Sequence, residues 1–249
     1  MALTPRQRTI SMGTGATSRA DIDEGLRSYM LRVYNYMSIG LALTGVVAFT
    51  AATSPAIQDA LYTRSATGGL QPSILGWIVT FAPLAFVFMI APAMRRFSAP
   101  TVQLLFWAFA GLMGLSLTHI FLTYTGTSIA RVFFITASVF AAMSLYGYTT
   151  KRDLTGMGSF LFMGLIGIVI ASVVNIFLQS SMMHFIISIV GVLVFVGLTA
   201  YDTQNIKSEY DVSDSGDVAQ KKAIYGALRL YLDFINLFIM MLHLFGNRE

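Results

Sequence analysis

Ile224–Phe245 reads IYGALRLYLDFINLFIMMLHLF, an apolar stretch that nevertheless carries four strongly polar side chains. About 20 residues at a rise of 1.5 Å cover the roughly 30 Å hydrocarbon core of a bilayer, so this stretch is long enough to span a membrane. Because a helix turns by about 100° per residue, its polar members share one narrow stripe; they are Arg229, Asp233, Asn236 and His243. Exposing such a stripe to lipid is costly. We therefore expect the other helices to surround this one.

The composition identifies the class of protein. Of the 249 residues, 55% are hydrophobic and 11% are charged, with no cysteine. A soluble chain is normally about a quarter charged, so the sequence predicts an integral membrane protein. The lack of cysteine excludes disulfides, thiolate zinc sites and cysteine nucleophiles. Most basic residues lie between the apolar stretches, which indicates topology and contact with lipid headgroups rather than nucleic-acid binding.

Seven apolar stretches of spanning or near-spanning length predict an all-α fold with seven transmembrane helices. They lie near residues 31–52, 72–94, 102–123, 129–149, 157–178, 183–204 and 224–245. We divide the chain into a polar tail, residues 1–29, and a transmembrane domain, residues 30–249. The tail is interpreted as a disordered cytoplasmic segment, with a mitochondrial transit peptide as the less favoured alternative.

The distribution of lysine and arginine predicts the orientation. With seven spans, the tail and the loops after the second, fourth and sixth stretches share one side. These segments hold Arg6, Arg8, Arg19, Arg27, Arg95, Arg96, Lys151, Arg152, Lys207, Lys221 and Lys222. We therefore expect a cytoplasmic N-terminus and an external C-terminus. The short tail and minimal loops favour a bacterial inner membrane over an organellar one.

Two aspartates lie at membrane depth. Asp202 stands at the end of the sixth stretch, where a carboxylate meets the negative end of the helix dipole. Asp233 lies about nine residues into the last one. Each has a plain structural alternative: Asp202 as an interfacial residue in water beside Lys207, and Asp233 as a local i,i+4 partner of Arg229.

The topology places both aspartates in the same half of the membrane, together with Arg95 and Arg96 at the end of the second helix. Two close carboxylates in a low dielectric cannot both ionise without compensation, so the pair is a candidate pH sensor. Calcium is the natural cation, because it accepts carboxylate and carbonyl oxygens in flexible geometry. Asn236 and backbone carbonyls would complete a weak site, as ion conduction requires.

The remaining candidate motifs are weaker. His119 and His184 are isolated and lack metal-ligand spacing, so we interpret them as packing or interfacial residues. No phosphate-binding glycine loop, nucleophile elbow or zinc motif occurs, and no nucleophile stands beside a base. We therefore expect neither an enzyme nor a cofactor, with calcium as the only bound or transported ion.

Two segments resemble known signatures. Leu228–Gly246, LRLYLDFINLFIMMLHLFG, resembles the C-terminal signature of the Bax inhibitor-1 family, and Ala200–Lys207, AYDTQNIK, resembles its second signature. The resemblance implies six helices around a central last helix and a pH-sensitive calcium leak. It also implies that Asp202 and Asp233 form a proton-sharing dyad and that an arginine latch corresponds to Arg95, or to Arg96 one position on.

The sequence thus predicts a pH-sensitive calcium leak channel, in which an Arg95–Asp202 pair closes the cytoplasmic end and protonation or calcium opens it. The alternative is a non-conducting membrane regulator that binds a membrane protease or stress-response partner through the N-terminal tail. In that case the charged stripe of the last helix would be structural.

Overall fold

The structure, a computed structural model, describes residues 19–64 and 70–248. Its elements, in chain order, are α1 (Arg19–Thr53), α2 (Pro55–Leu61), β1 (Tyr62–Arg64), β2 (Leu70–Pro72), α3 (Ile74–Arg96), α4 (Ala99–Ser116), α5 (Thr118–Thr123), α6 (Gly126–Thr149), α7 (Thr155–Leu178), α8 (Ser181–Ser208) and α9 (Gly216–Phe245). The two short strands pair antiparallel in the loop between the first two spans.

Among the described residues, seven helical segments are long and apolar enough to cross a membrane, as the sequence predicts. The third span, Ala99–Thr123, consists of α4 and α5 with a break at Leu117. The Thr118 hydroxyl donates to the backbone carbonyl of Leu115 at 2.7 Å. Such side-chain to backbone bonds compete with regular helix geometry and often bend helices, which accounts for the break.

The first helix begins earlier than the sequence predicted. Residues 1–18 lie outside the described residues, and α1 already begins at Arg19, so residues 19–29, which the sequence assigned to the tail, are helical. Acidic residues favour the positive end of the helix dipole, and this first turn region carries Asp21, Asp23 and Glu24. The helix therefore extends as a polar projection beyond the apolar stretch.

The last helix, α9, is the most buried of the seven. Of its 18 most apolar consecutive residues 56% are buried, against 11% to 39% in the corresponding segments of the other spans. It packs extensively against α1, α4, α6 and α8, whereas α3 packs on α4 and α7 packs on α8. Within the described part of the chain, four helices thus form the main contacts of α9, and α3 and α7 add an outer layer on either side.

Glycines allow α8 to approach its neighbours closely. A Cβ at Gly147 of α6 would overlap the backbone carbonyl of Ala200, and a Cβ at Gly158 of α7 would overlap the Tyr201 ring. Small residues are the usual means by which membrane helices bring their backbones together. The contact at Gly147 fixes α6 against α8 immediately beside Asp202.

We predict that Gly147→Ala destabilises the protein by about 1–3 kcal/mol, because the new methyl group meets backbone that cannot rotate away. The measurement is thermal unfolding of the purified protein in detergent. Gly167→Ala is the matched control, since a Cβ there meets open space. Equal transition temperatures for the two variants would contradict the packing assigned to Gly147.

Candidate functional site

The polar stripe of α9 faces α8 along most of its length. At one end Arg229 contacts Asp202 of α8. Further along, Met240 packs where a Cβ on Gly191 of α8 would lie. At the other end the ring of His243 lies against the ring of His184 of α8. The interface between α8 and α9 therefore carries the residues that the sequence placed on one stripe.

Arg229 is the charged centre of this interface. Its Nη2 lies 2.5 Å from Oδ1 of Asp202 and its Nη1 lies 2.8 Å from Oε1 of Glu209, just beyond the end of α8. The side chains of Arg229 and Asp202 are only 18% and 14% exposed, so solvent screens the pair weakly. Charge-assisted bonds of this kind are the strong ones in proteins.

The carboxyl group of Asp233 lies beside that of Asp202. Asp233 is 5% exposed, and its Oδ2 has no hydrogen-bond partner among the described residues. An ionised carboxylate can only accept hydrogen bonds, so a bond between the two groups requires a proton on one of them. The two carboxyl groups therefore lie next to each other in a site that is largely shielded from solvent.

Both structural alternatives for the aspartates differ from what is observed. Arg229 turns to Asp202 and Glu209 rather than forming an ion pair with Asp233. Lys207 donates to the backbone carbonyl of Tyr148 at 2.8 Å and lies over that ring, so it does not pair with Asp202. The aspartates are therefore neither a local helix pair nor an interfacial pair with lysine.

The predicted position of Asp202 within its helix was wrong. The helix continues to Ser208, so Asp202 lies almost two turns before its end rather than in the last turn. Likewise α9 begins at Gly216, which places Asp233 about 25 Å along the helix instead of the expected 13 Å. Both helices extend past the apolar stretch because polar residues near their ends continue the backbone hydrogen bonding outside the bilayer.

Arg95 and Arg96 end α3 and are exposed. Among the described residues neither takes part in an ion pair, and Asp202 is held by Arg229 instead. The physical reason is the packing: α3 lies against α4, whereas Arg229 stands on the helix that packs directly on α8. The expected Arg95–Asp202 contact is therefore not formed in this conformation.

Asn236 and His243 complete the stripe. The amide nitrogen of Asn236 donates to the carbonyl of Leu232 at 2.8 Å, within its own helix. The His243 ring lies 4.5 Å from that of His184, centroid to centroid, and Nε2 of His184 is buried without a partner among the described residues. The interpretation of His184 as isolated was therefore wrong.

Sequence reasoning missed Glu209 and His184 as members of this interface. Glu209 lies 20 residues before Arg229 in the chain, and His184 lies 59 before His243, so no local spacing connects them. Only the antiparallel packing of α8 on α9 brings each pair together. No group of three or more His, Cys, Asp or Glu side chains with metal-binding geometry occurs within residues 19–64 and 70–248.

We predict that Arg229→Gln lowers the free energy of unfolding by about 3 kcal/mol, because it leaves the Asp202 carboxylate buried without its cation. Asp233→Asn removes an unpaired buried acid and is expected to leave stability unchanged or to raise it. Thermal unfolding of both variants in detergent at pH 8 is the measurement. A larger loss for Asp233→Asn than for Arg229→Gln would refute this assignment of the charges.

Comparisons with known proteins agree with the architecture. The profile of the family described as "Inhibitor of apoptosis-promoting Bax1" matches residues 26–249. The chain is 51% identical over 236 residues to RP147 of Rickettsia prowazekii, covering 95% of this chain and 96% of that protein. It is 48% identical over 227 residues to the inner membrane protein YbhL of Escherichia coli K12, covering 90% and 94% respectively. The chain belongs to the Bax inhibitor-1 family of membrane proteins.

Proposed function

We propose that this protein is a pH-sensitive calcium (cation) leak channel whose path follows the interface between α8 and α9. One observation carries the proposal: a buried carboxyl group, Asp233, faces a second carboxyl, Asp202, that is held by Arg229. Ionisable residues inside membrane helices are expensive and mark ion or proton pathways by default. The resemblance of the two signature segments to the family favours the same conclusion.

The proposed closing contact is the Arg229–Asp202 pair rather than the Arg95–Asp202 pair. While Arg229 occupies the Asp202 carboxylate, a calcium ion cannot use the same oxygens. Glu209 offers Arg229 a second acceptor just beyond the end of α8, with Oε1 at 2.8 Å from Nη1. The arginine can therefore shift toward Glu209 without losing all compensation for its charge.

The sign of the pH dependence follows from this contact. A proton taken up by the pair of carboxyl groups removes negative charge that attracts Arg229, so lowering the pH weakens the closing pair and opens the path. Raising the pH restores the carboxylate and closes it. Calcium acts in the same direction as protons, because it competes with Arg229 for the carboxylate oxygens.

We place the protein in the inner (cytoplasmic) membrane with its N-terminus in the cytoplasm. The basic ends of the helices support this orientation. They include Arg95 and Arg96 at the end of α3 and Lys151 and Arg152 before α7. The name of YbhL, an inner membrane protein, supports the same location.

We predict that calcium flux into proteoliposomes rises as the pH falls from 8 to 6, by no more than about tenfold per pH unit, the limit for one titrating proton. Asp202→Asn and Asp233→Asn are expected to abolish this flux or to make it independent of pH. Arg229→Gln is expected to raise the flux at pH 8, because the closing cation is gone.

Two variants serve as controls in the same assay. Arg95→Gln removes an exposed arginine that touches neither aspartate, and Asp211→Asn removes an exposed acid near the same end of the bundle. Both should retain the flux and pH dependence of the unmodified protein. If Arg95→Gln opens the channel at pH 8 and Arg229→Gln does not, Arg95 is the closing residue and the assignment of Arg229 is refuted.

The regulator alternative remains a separate outcome. Folded protein with no flux above that of empty liposomes at any pH would favour a non-conducting membrane regulator. In that case deletion of residues 1–20 should abolish binding of a membrane-protein partner. Residues 1–18, which form most of this predicted recognition tail, lie outside the described residues.

A further inference from the structure

A large apolar groove lies between α1 and α6, on a different side of α9 from the aspartates. Its volume is about 1020 Å³, at the upper end of the range for ligand-binding cavities, roughly 300–1,000 Å³. Phe234 of α9 contributes to its lining. The groove therefore reaches inward to the most buried helix.

The groove exists because α1 and α6 both pack on α9 without packing extensively on each other. Small residues on the facing helices widen the gap, among them Ala42 and Gly45 of α1 and Ala137 and Ala141 of α6. A second cavity of about 290 Å³ shares Gly45, Phe133 and Phe234 with the first and continues toward Gly126 at the start of α6.

The two cavities together follow the thickness of a bilayer. Arg27 lines one end of the groove and Ala48 lines the second cavity. The 21 residues of α1 between these positions rise by about 31 Å, close to the thickness of the hydrocarbon core. An extended acyl chain, which reaches through about half of the hydrocarbon core, fits within this length and matches the groove in polarity.

A hydrogen bond across the groove limits what can occupy it. Tyr34 of α1 reaches Ser144 of α6, with 2.6 Å between the two hydroxyl oxygens. A transmembrane helix about 10–12 Å wide cannot enter between α1 and α6 at that level. A single acyl chain is narrow enough to pass the bridge.

The charge at the end of the groove indicates the headgroup. Arg27 is exposed and, among the described residues, forms neither a hydrogen bond nor an ion pair. It lies at the basic end of the bundle, which the charge distribution assigns to the cytoplasmic leaflet, where anionic lipids attract basic residues. We propose that the groove binds one acyl chain of an anionic phospholipid whose phosphate contacts Arg27.

Native mass spectrometry of the full chain, purified in detergent and titrated with phosphatidylglycerol or phosphatidylcholine, tests this site. The unmodified protein should retain one phosphatidylglycerol molecule in preference to phosphatidylcholine. Gly45→Leu should remove the bound lipid, because its side chain projects into the groove, and a Cβ there meets no other atom within 4 Å. Ala141→Leu fills the same groove from α6 and should have the same effect.

Matched variants distinguish the groove from the general lipid surface. Gly167→Leu also adds a side chain where a Cβ meets open space, but on α7, and should leave binding unchanged. Arg27→Gln should reduce the preference for phosphatidylglycerol by about fivefold, the effect of one basic residue at an anionic surface. Arg32→Gln removes an exposed arginine of α1 that does not line the groove. This variant should keep the preference for phosphatidylglycerol.

Three results would overturn the proposal. Equal loss of lipid in Gly45→Leu and Gly167→Leu would show that the lipid is part of the general annulus. Equal retention of the two phospholipids by the unmodified protein would exclude the phosphate contact. A dimer that forms when lipid is removed and is lost in Gly45→Leu would show that a second copy covers the groove. None of these readouts depends on ion flux, so the lipid proposal and the channel proposal are tested independently.

Discussion

The cost of placing Asp233 inside an apolar bundle dominates the arrangement of the surrounding helices. A buried carboxylate requires compensation, and within the described structure Arg229 of α9 supplies it to Asp202 of α8, beside which the carboxyl group of Asp233 is buried. That compensation is available only if α8 lies directly against α9. The close approach of these two helices is therefore an electrostatic requirement as well as a packing preference.

α8 connects this pair to the rest of the bundle. It packs against α6, α7 and α9, and glycines remove the side chains that would hold the backbones apart at Gly147, Gly158 and Gly191. A polar chain from Tyr34 through Ser144 to Thr203 joins α1, α6 and α8 one residue beyond Asp202. The charged site and the lipid groove thus share the same supporting contacts while they face different sides of α9.

Much of the fold followed from patterns within single segments. Spanning length and low charge predicted seven helices, and the stripe on Ile224–Phe245 predicted the most buried one, because hydropathy and helical period are local properties. The helix ends were predicted less well at Arg19, Ser208 and Gly216. There the polar residues continue the helix outside the bilayer, and hydropathy carries no signal for that extension.

The sequence by itself determined the class of protein, its spans and the two aspartates at membrane depth, because burying charge is costly wherever the chain folds. The tertiary structure decided which cation compensates Asp202. Arg229, not Arg95, reaches Asp202 because α9 packs on α8 and α3 does not. The tertiary structure also brought Glu209 together with Arg229 and His184 together with His243. It left a gap between α1 and α6, which forms the lipid groove. These outcomes depend on which helices are neighbours, and no spacing along the chain records that.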